Sequence, residues 1–93
     1  MPFCIVTYDV PDDNLRVRIA HKLQDYGLDR LQFSVFHGFL TRNRAEELAL
    51  ELRELIGEDE ADVRIFFLCE KCLNKTIVVK ERYPLETVEV VIS

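Results

Sequence analysis

Phe3 to Val10 is an almost unbroken apolar, β-rich run, with only Thr7 and Asp9 polar, and it predicts a buried strand. Pro11 cannot donate to a ladder, and Asp12 or Asp13 can cap a helix. Leu15, Ile19, Leu23 and Tyr26 then recur at helical spacing, with Ala20 on the same face, and Gly27 offers a C-terminal stop. The first helix is therefore expected over about residues 14–26. Leu31 to Leu40 is a second β-rich run whose apolarity is broken by Gln32, Ser34 and His37. It is short for two full strands and a turn, so it predicts one long kinked strand or two short ones bent near Ser34 to Gly38. Thr41 can cap a second helix with a Leu48, Leu52, Leu55, Ile56 stripe, which Gly57 ends. After an acidic loop at Glu58-Asp59-Glu60, strands are expected at Val63–Leu68, Ile77–Val79 and Val88–Ile92.

This order is the α+β, ferredoxin-like βαββαβ pattern with additional C-terminal strands: an antiparallel sheet with two helices on one face. The expected division is a ferredoxin-like domain over residues 1–82 and a C-terminal strand or tail over residues 83–93, available for dimer or partner contacts. The fold alone hosts many functions.

Size changes the picture in one respect. A chain of 93 residues is one domain. It buries only roughly 60–65% of the surface its unfolded form exposes, a thin margin that a homodimer would relieve. No charged leader precedes an apolar run, and no stretch approaches the roughly 18 apolar residues of a membrane helix, so a cytoplasmic protein is expected. The net charge of −5 argues at first against a nucleic-acid partner. Yet residues 1–44 carry six Lys/Arg against five Asp/Glu, and residues 45–93 six against twelve. A phosphate-binding face would have to be built from the first half.

Asp9, at the end of the first strand, is the leading candidate for chemistry. It reads either as a turn carboxylate bonding local amides before Pro11 or as a metal ligand. Mg²⁺ commonly takes one or two carboxylates, several waters and substrate phosphates, and a two-fold axis near Asp9 would supply a second carboxylate. Arg18 and Lys22 share a helix face, with Arg16 toward a neighbouring one. Together with Arg30, His37, Arg42 and Arg44 they are either a solvated surface or a phosphate-tracking stripe. His37 could serve as general base or phosphate contact.

Cys4, Cys69 and Cys72 are an odd number, which argues against a disulfide framework. Cys69-Glu-Lys-Cys72 has CxxC spacing, but no second pair completes a tetrahedral zinc site, and the motif does not open a helix after the first strand as a thioredoxin-like pair would. Both are expected to be buried or half-buried thiols. P-loop, GxGxxG, HExxH and GxSxG motifs are absent from the sequence.

Four stretches carry a family resemblance. They are Val6-Thr7-Tyr8-Asp9-Val10, the helix Asp13-Asn14-Leu15-Arg16-Val17-Arg18-Ile19-Ala20, the stretch Tyr26 to Gly38 containing Gln32-Phe33-Ser34-Val35-Phe36, and more weakly Val63-Arg64-Ile65-Phe66 with Leu68-Cys69. In this order and spacing the chain resembles the CRISPR-associated Cas-two family. The resemblance implies a homodimer with two sheets facing each other, an integrase partner, and a role in acquiring spacers from invading DNA. It also implies metal-dependent endonuclease activity on single-stranded RNA or duplex DNA. Carried over residue by residue, it makes Asp9 of both subunits the catalytic ligand of Mg²⁺ (or Mn²⁺). It makes Arg16, Arg18, Arg30 and Phe36 substrate-binding residues, with Ser34 and His37 as further candidates. Two other roles stay open: a non-catalytic dimeric scaffold bridging integrase subunits and holding duplex DNA, and a toxin-like ribonuclease outside CRISPR.

Overall fold

The computed structural model describes residues 2–83. Strand β1 (Phe3–Asp9) lies in the interior of a four-stranded antiparallel sheet of order β2-β3-β1-β4, with β2 at Asp29–Gln32, β3 at Val35–Phe39 and β4 at Asp62–Leu68. Helices α1 (Asp13–Asp25) and α2 (Arg42–Ile56) come after β1 and β3. This is the βαββαβ ferredoxin-like arrangement, in an α+β chain.

Alternation along β1 decides what faces the helices. Cys4, Val6 and Tyr8 are buried there with Leu15, Ile19 and Leu23 of α1 and Ala45, Leu48 and Leu52 of α2. Asp12 caps α1, accepting the Leu15 amide at 2.7 Å, and Thr41 caps α2, accepting the Arg44 amide at 3.2 Å. Gly27, at φ +83°, supplies the left-handed residue that turns the chain out of α1 into β2. Lys22 (3.1 Å) and the Tyr26 hydroxyl both donate to Glu51, tying the two helices together. Gly38 adopts φ +157°, a backbone conformation that side-chain-bearing residues rarely take.

The second β-rich run resolves into the two short strands β2 and β3, joined through Phe33-Ser34. Arg30 pairs with Phe36 and Gln32 with Val35, so β2 carries one more residue than β3 across that step, a bulge. The expected strand at Ile77–Val79 does not form; Ile77 and Val79 are exposed, at 69% and 95%, and no strand among the described residues pairs with them. Three apolar residues do not make a strand without a ladder to join. A one-turn helix that the apolar pattern did not predict, α3 (Glu70–Leu73), comes directly after β4. Val88–Ile92, and nearly all of the 83–93 tail, lie outside the described residues.

Candidate nucleic-acid interface

The end of the sheet where β1 stops and β2 turns into β3 gathers most of the candidate residues. Asp9 closes β1 and is exposed. By alternation it lies on the face opposite Tyr8, the face that also carries Thr7, Arg64 and Asp62. Its cross-strand neighbour is Asp62. Like charges so placed would destabilise the pairing. Arg64 takes up the second one, gripping both Asp62 oxygens at 2.9 and 3.1 Å and holding that carboxyl below its ordinary value. Asp9 is thereby the carboxylate of this pair left outside the Arg64 grip.

Arg16 is anchored one residue away, its Nη1 donating to the Val10 carbonyl at 3.0 Å while it also pairs with Asp13. Its guanidinium reaches 5.6 Å from the ring centre of Phe33, which is 66% exposed on the β2–β3 turn. Arg30 donates to the Phe33 carbonyl and stacks 4.8 Å over the Phe36 ring. The Tyr8 hydroxyl donates to the same carbonyl at 3.4 Å, and its ring lies 6.2 Å from Phe36. Burial raises the Tyr8 phenol, and the two guanidiniums oppose that shift. Two cations thus meet at Phe33, Arg16 at its exposed ring and Arg30 at its carbonyl, beside the strand end that bears Asp9. Such a pairing of cations with a ring suits phosphate and a stacked base.

The structure therefore brings together Asp9, Arg16, Arg30 and the Phe33-Ser34 turn. Ser34 takes part through its carbonyl, which accepts the Tyr8 amide at 3.0 Å. Arg18 is exposed, but two helical positions from Arg16 it points about 200° around α1, so the pair does not form one stripe. Phe36 is fully buried and offers no surface to a substrate; it serves as the seat of Arg30. His37 is 3% exposed, with its ring edge-on to Phe3 at 5.5 Å, and Nε2 meets no hydrogen-bond partner among the described residues. Burial holds its pKa below the ordinary histidine value, against the pull of Asp29. A buried imidazole does not contact phosphate. Arg42 and Arg44 are engaged on α2 with Glu46 (3.4 Å) and Glu47 (3.3 Å), and Lys22 with Glu51, so they are not part of this cluster.

Phe33 was not singled out by the sequence, because it reads as one more apolar residue of a strand. Its place between two β-rich halves, beside Ser34, was the available signal of a turn. Cys69 and Cys72 are exposed, not buried or half-buried, because they come after the end of β4 and lie beyond the core. Among the described residues no group of three or more His, Cys, Asp or Glu is placed to hold a metal ion. No helix among them is long and apolar enough to cross a membrane.

Comparison with known proteins agrees with this fold. The family model of CRISPR associated protein Cas2 matches residues 1–76. A CRISPR-associated endoribonuclease Cas2 of Desulforudis audaxviator is 40% identical over 91 residues, 96% of this chain and 86% of that protein. The crystal structure of a hypothetical protein from Thermus thermophilus superposes with a TM-score of 0.74 at 32% identity, covering 90% of this chain and 95% of that one. A chain from a partial Cas6-RT-Cas1–Cas2 complex gives 0.72 at 25% identity, covering 85% and 91%.

Proposed function

Since the chain belongs to the CRISPR-associated Cas2 family, we propose that it is a phosphodiester-cleaving endonuclease of CRISPR adaptation, acting as a homodimer beside an integrase subunit. The observation that carries this reading is the anchoring of Arg16 on the Val10 carbonyl, one residue beyond the strand end that bears the exposed Asp9, with its guanidinium against the exposed Phe33 ring.

In this reading Arg16 and Arg30 hold the backbone phosphate and offset charge as it develops, and Phe33 stacks a base or sugar. Asp9 of each subunit would hold a hard cation, Mg²⁺ or Mn²⁺. Asp9 offers one carboxylate per chain outside the Arg64 grip, of the hard oxygen type such an ion takes, and with no larger ligand group among the described residues, waters and substrate phosphate would complete the shell. When bound, the cation supplies charge neutralisation and an activated water. The homodimer is supported by the sheet face opposite the helices, where Phe39 and Phe66 stand 40% and 50% exposed beside Ile5 and Leu68. An apolar surface of this kind is suited to a second copy. RNA and duplex DNA are both accommodated by contacts that read phosphate rather than base edges. The complex containing the Cas1–Cas2 relative supports the integrase partner. Membership of this family also favours a CRISPR role over a toxin-like one.

Replacing Arg16 and Arg30 together with Ala tests the interface. Binding should weaken alike across sequences, and the log–log salt slope should flatten by about 0.9 per lost contact on duplex DNA, or about 0.7 on single strands. An unchanged slope would put the nucleic-acid surface elsewhere. Arg18→Ala alone should have the smaller effect.

A further inference from the structure

We propose that Cys69 and Cys72 form a redox-active dithiol that closes to an intrachain disulfide in exchange with a low-molecular-weight disulfide such as oxidised glutathione. The nuclease reading does not use these residues, and the inference is independent of it.

The geometry has three parts. Both thiols are exposed, while Cys4 is completely buried in the core. Cys69 caps the single turn of α3, its Sγ accepting the Cys72 amide at 3.4 Å. Cys72 lies three residues on in the same turn, and a disulfide, which needs Cβ atoms about 3.5–4.5 Å apart, asks the backbone of this single turn to draw in. The Cys72 amide points at the Cys69 sulfur, so the two residues already meet across the turn.

The same contacts give the two thiols unequal roles. The Cys72 amide and thiol stabilise a Cys69 thiolate, lowering its pKa, and the Cys69 sulfur raises that of Cys72. Burial pushes Cys4 up to about 11, which keeps it protonated and out of the exchange. The Cys69 thiolate attacks one sulfur of the oxidant, forming a mixed disulfide and expelling one small thiolate. Cys72 then loses its proton and attacks the Cys69 sulfur, forming the Cys69–Cys72 bond and expelling the second thiolate. Two protein thiols are oxidised, one disulfide is reduced to two small thiols, and the two protons end on those thiols.

The position gives the reaction a consequence. Residues 74–83 leave this turn, and Thr76 to Tyr83 line a cleft with Leu31, Gln32 and Phe33. Oxidation locks the root of the segment that flanks the candidate interface.

The test uses the full chain, reduced, desalted and mixed with oxidised glutathione. Intact mass should fall by two hydrogens, and one thiol, Cys4, should remain for maleimide after denaturation. Cys72→Ser should stop at a single glutathione adduct on Cys69. Cys69→Ser should react at Cys72 roughly tenfold or more slowly. The proposal is overturned by a stable glutathione adduct on the wild type, by disulfides between chains, or by equal rates in the two single variants. It is equally overturned by thiols that stay silent until a chelator releases stoichiometric zinc.

Discussion

Asp9→Asn is expected to reduce cleavage of RNA and duplex DNA by roughly two to four orders of magnitude, the loss of several kcal/mol of charge stabilisation. The amide keeps the shape of the carboxylate, and the position is exposed at a strand end, so packing should be undisturbed. In a dimer the change removes both carboxylates at once, and amide oxygens hold Mg²⁺ far more weakly. Within the chain it also relieves the Asp9–Asp62 juxtaposition, so stability should hold or rise slightly. Sedimentation of both proteins should show the same dimer; a folded monomer at micromolar concentration would remove the shared site altogether. Spacer acquisition in cells then separates enzyme from scaffold. Acquisition lost together with cleavage supports the enzyme. Acquisition that survives the loss of cleavage gives the dimer a bridging role instead. Cleavage at the wild-type rate by a homogeneous variant would mean that Asp9 holds no catalytic metal.

Phe36→Ala should be the most destabilising single change at the site, by about 3–5 kcal/mol. The ring is fully buried among Tyr8, Val6 and the helix-facing core, and the whole fold stands only about 5–15 kcal/mol above the unfolded chain. An inactive Phe36→Ala protein would therefore say little about contact with substrate. Phe36→Leu separates the two effects. It keeps most of the volume, costing less than about 1.5 kcal/mol, while removing the aromatic face under Arg30. Denaturant midpoints should stay near the wild type while nucleic-acid affinity falls toward that of Arg30→Ala. Unchanged affinity would show that Arg30 is positioned by its bond to the Phe33 carbonyl alone.

Local signals account for what the sequence made legible. The Asp12 and Thr41 caps, the Gly27 and Gly57 stops and the Leu15/Ile19/Leu23 stripe act within one turn of the residues they order, and each stands as expected. Placement across the sheet was harder to read. Arg16 and Arg30 are fourteen positions apart in the chain, and only the β2–β3 turn brings them to one residue, Arg16 to the Phe33 ring and Arg30 to the Phe33 carbonyl. Arg18 carries the same charge and faces elsewhere, because helical periodicity separates it from Arg16. Apolarity misled at both extremes. Ile77–Val79 resembled a strand but finds no ladder among the described residues, and the cysteines resembled core thiols but lie beyond the end of β4.

The orphaned Nε2 of His37 has a consequence for acid tolerance. The imidazole is held neutral by burial, so its folded pKa lies below the unfolded value of about 6.5. As the medium acidifies past that value, the unfolded chain takes up a proton that the folded chain refuses. Stability is therefore fully present above the ordinary histidine range and drains away below it, until the folded pKa is reached. Asp29, opposite on β2, softens the loss without abolishing it. Urea midpoints of the wild type should fall between about pH 7 and pH 5, and the fall should be shallower in His37→Phe. Equal slopes would mean that this imidazole accepts its proton without unfolding. A shallower fall in the variant would mark the sheet face opposite the helices as the part of the molecule that yields first to acid, ahead of the helix-packed core.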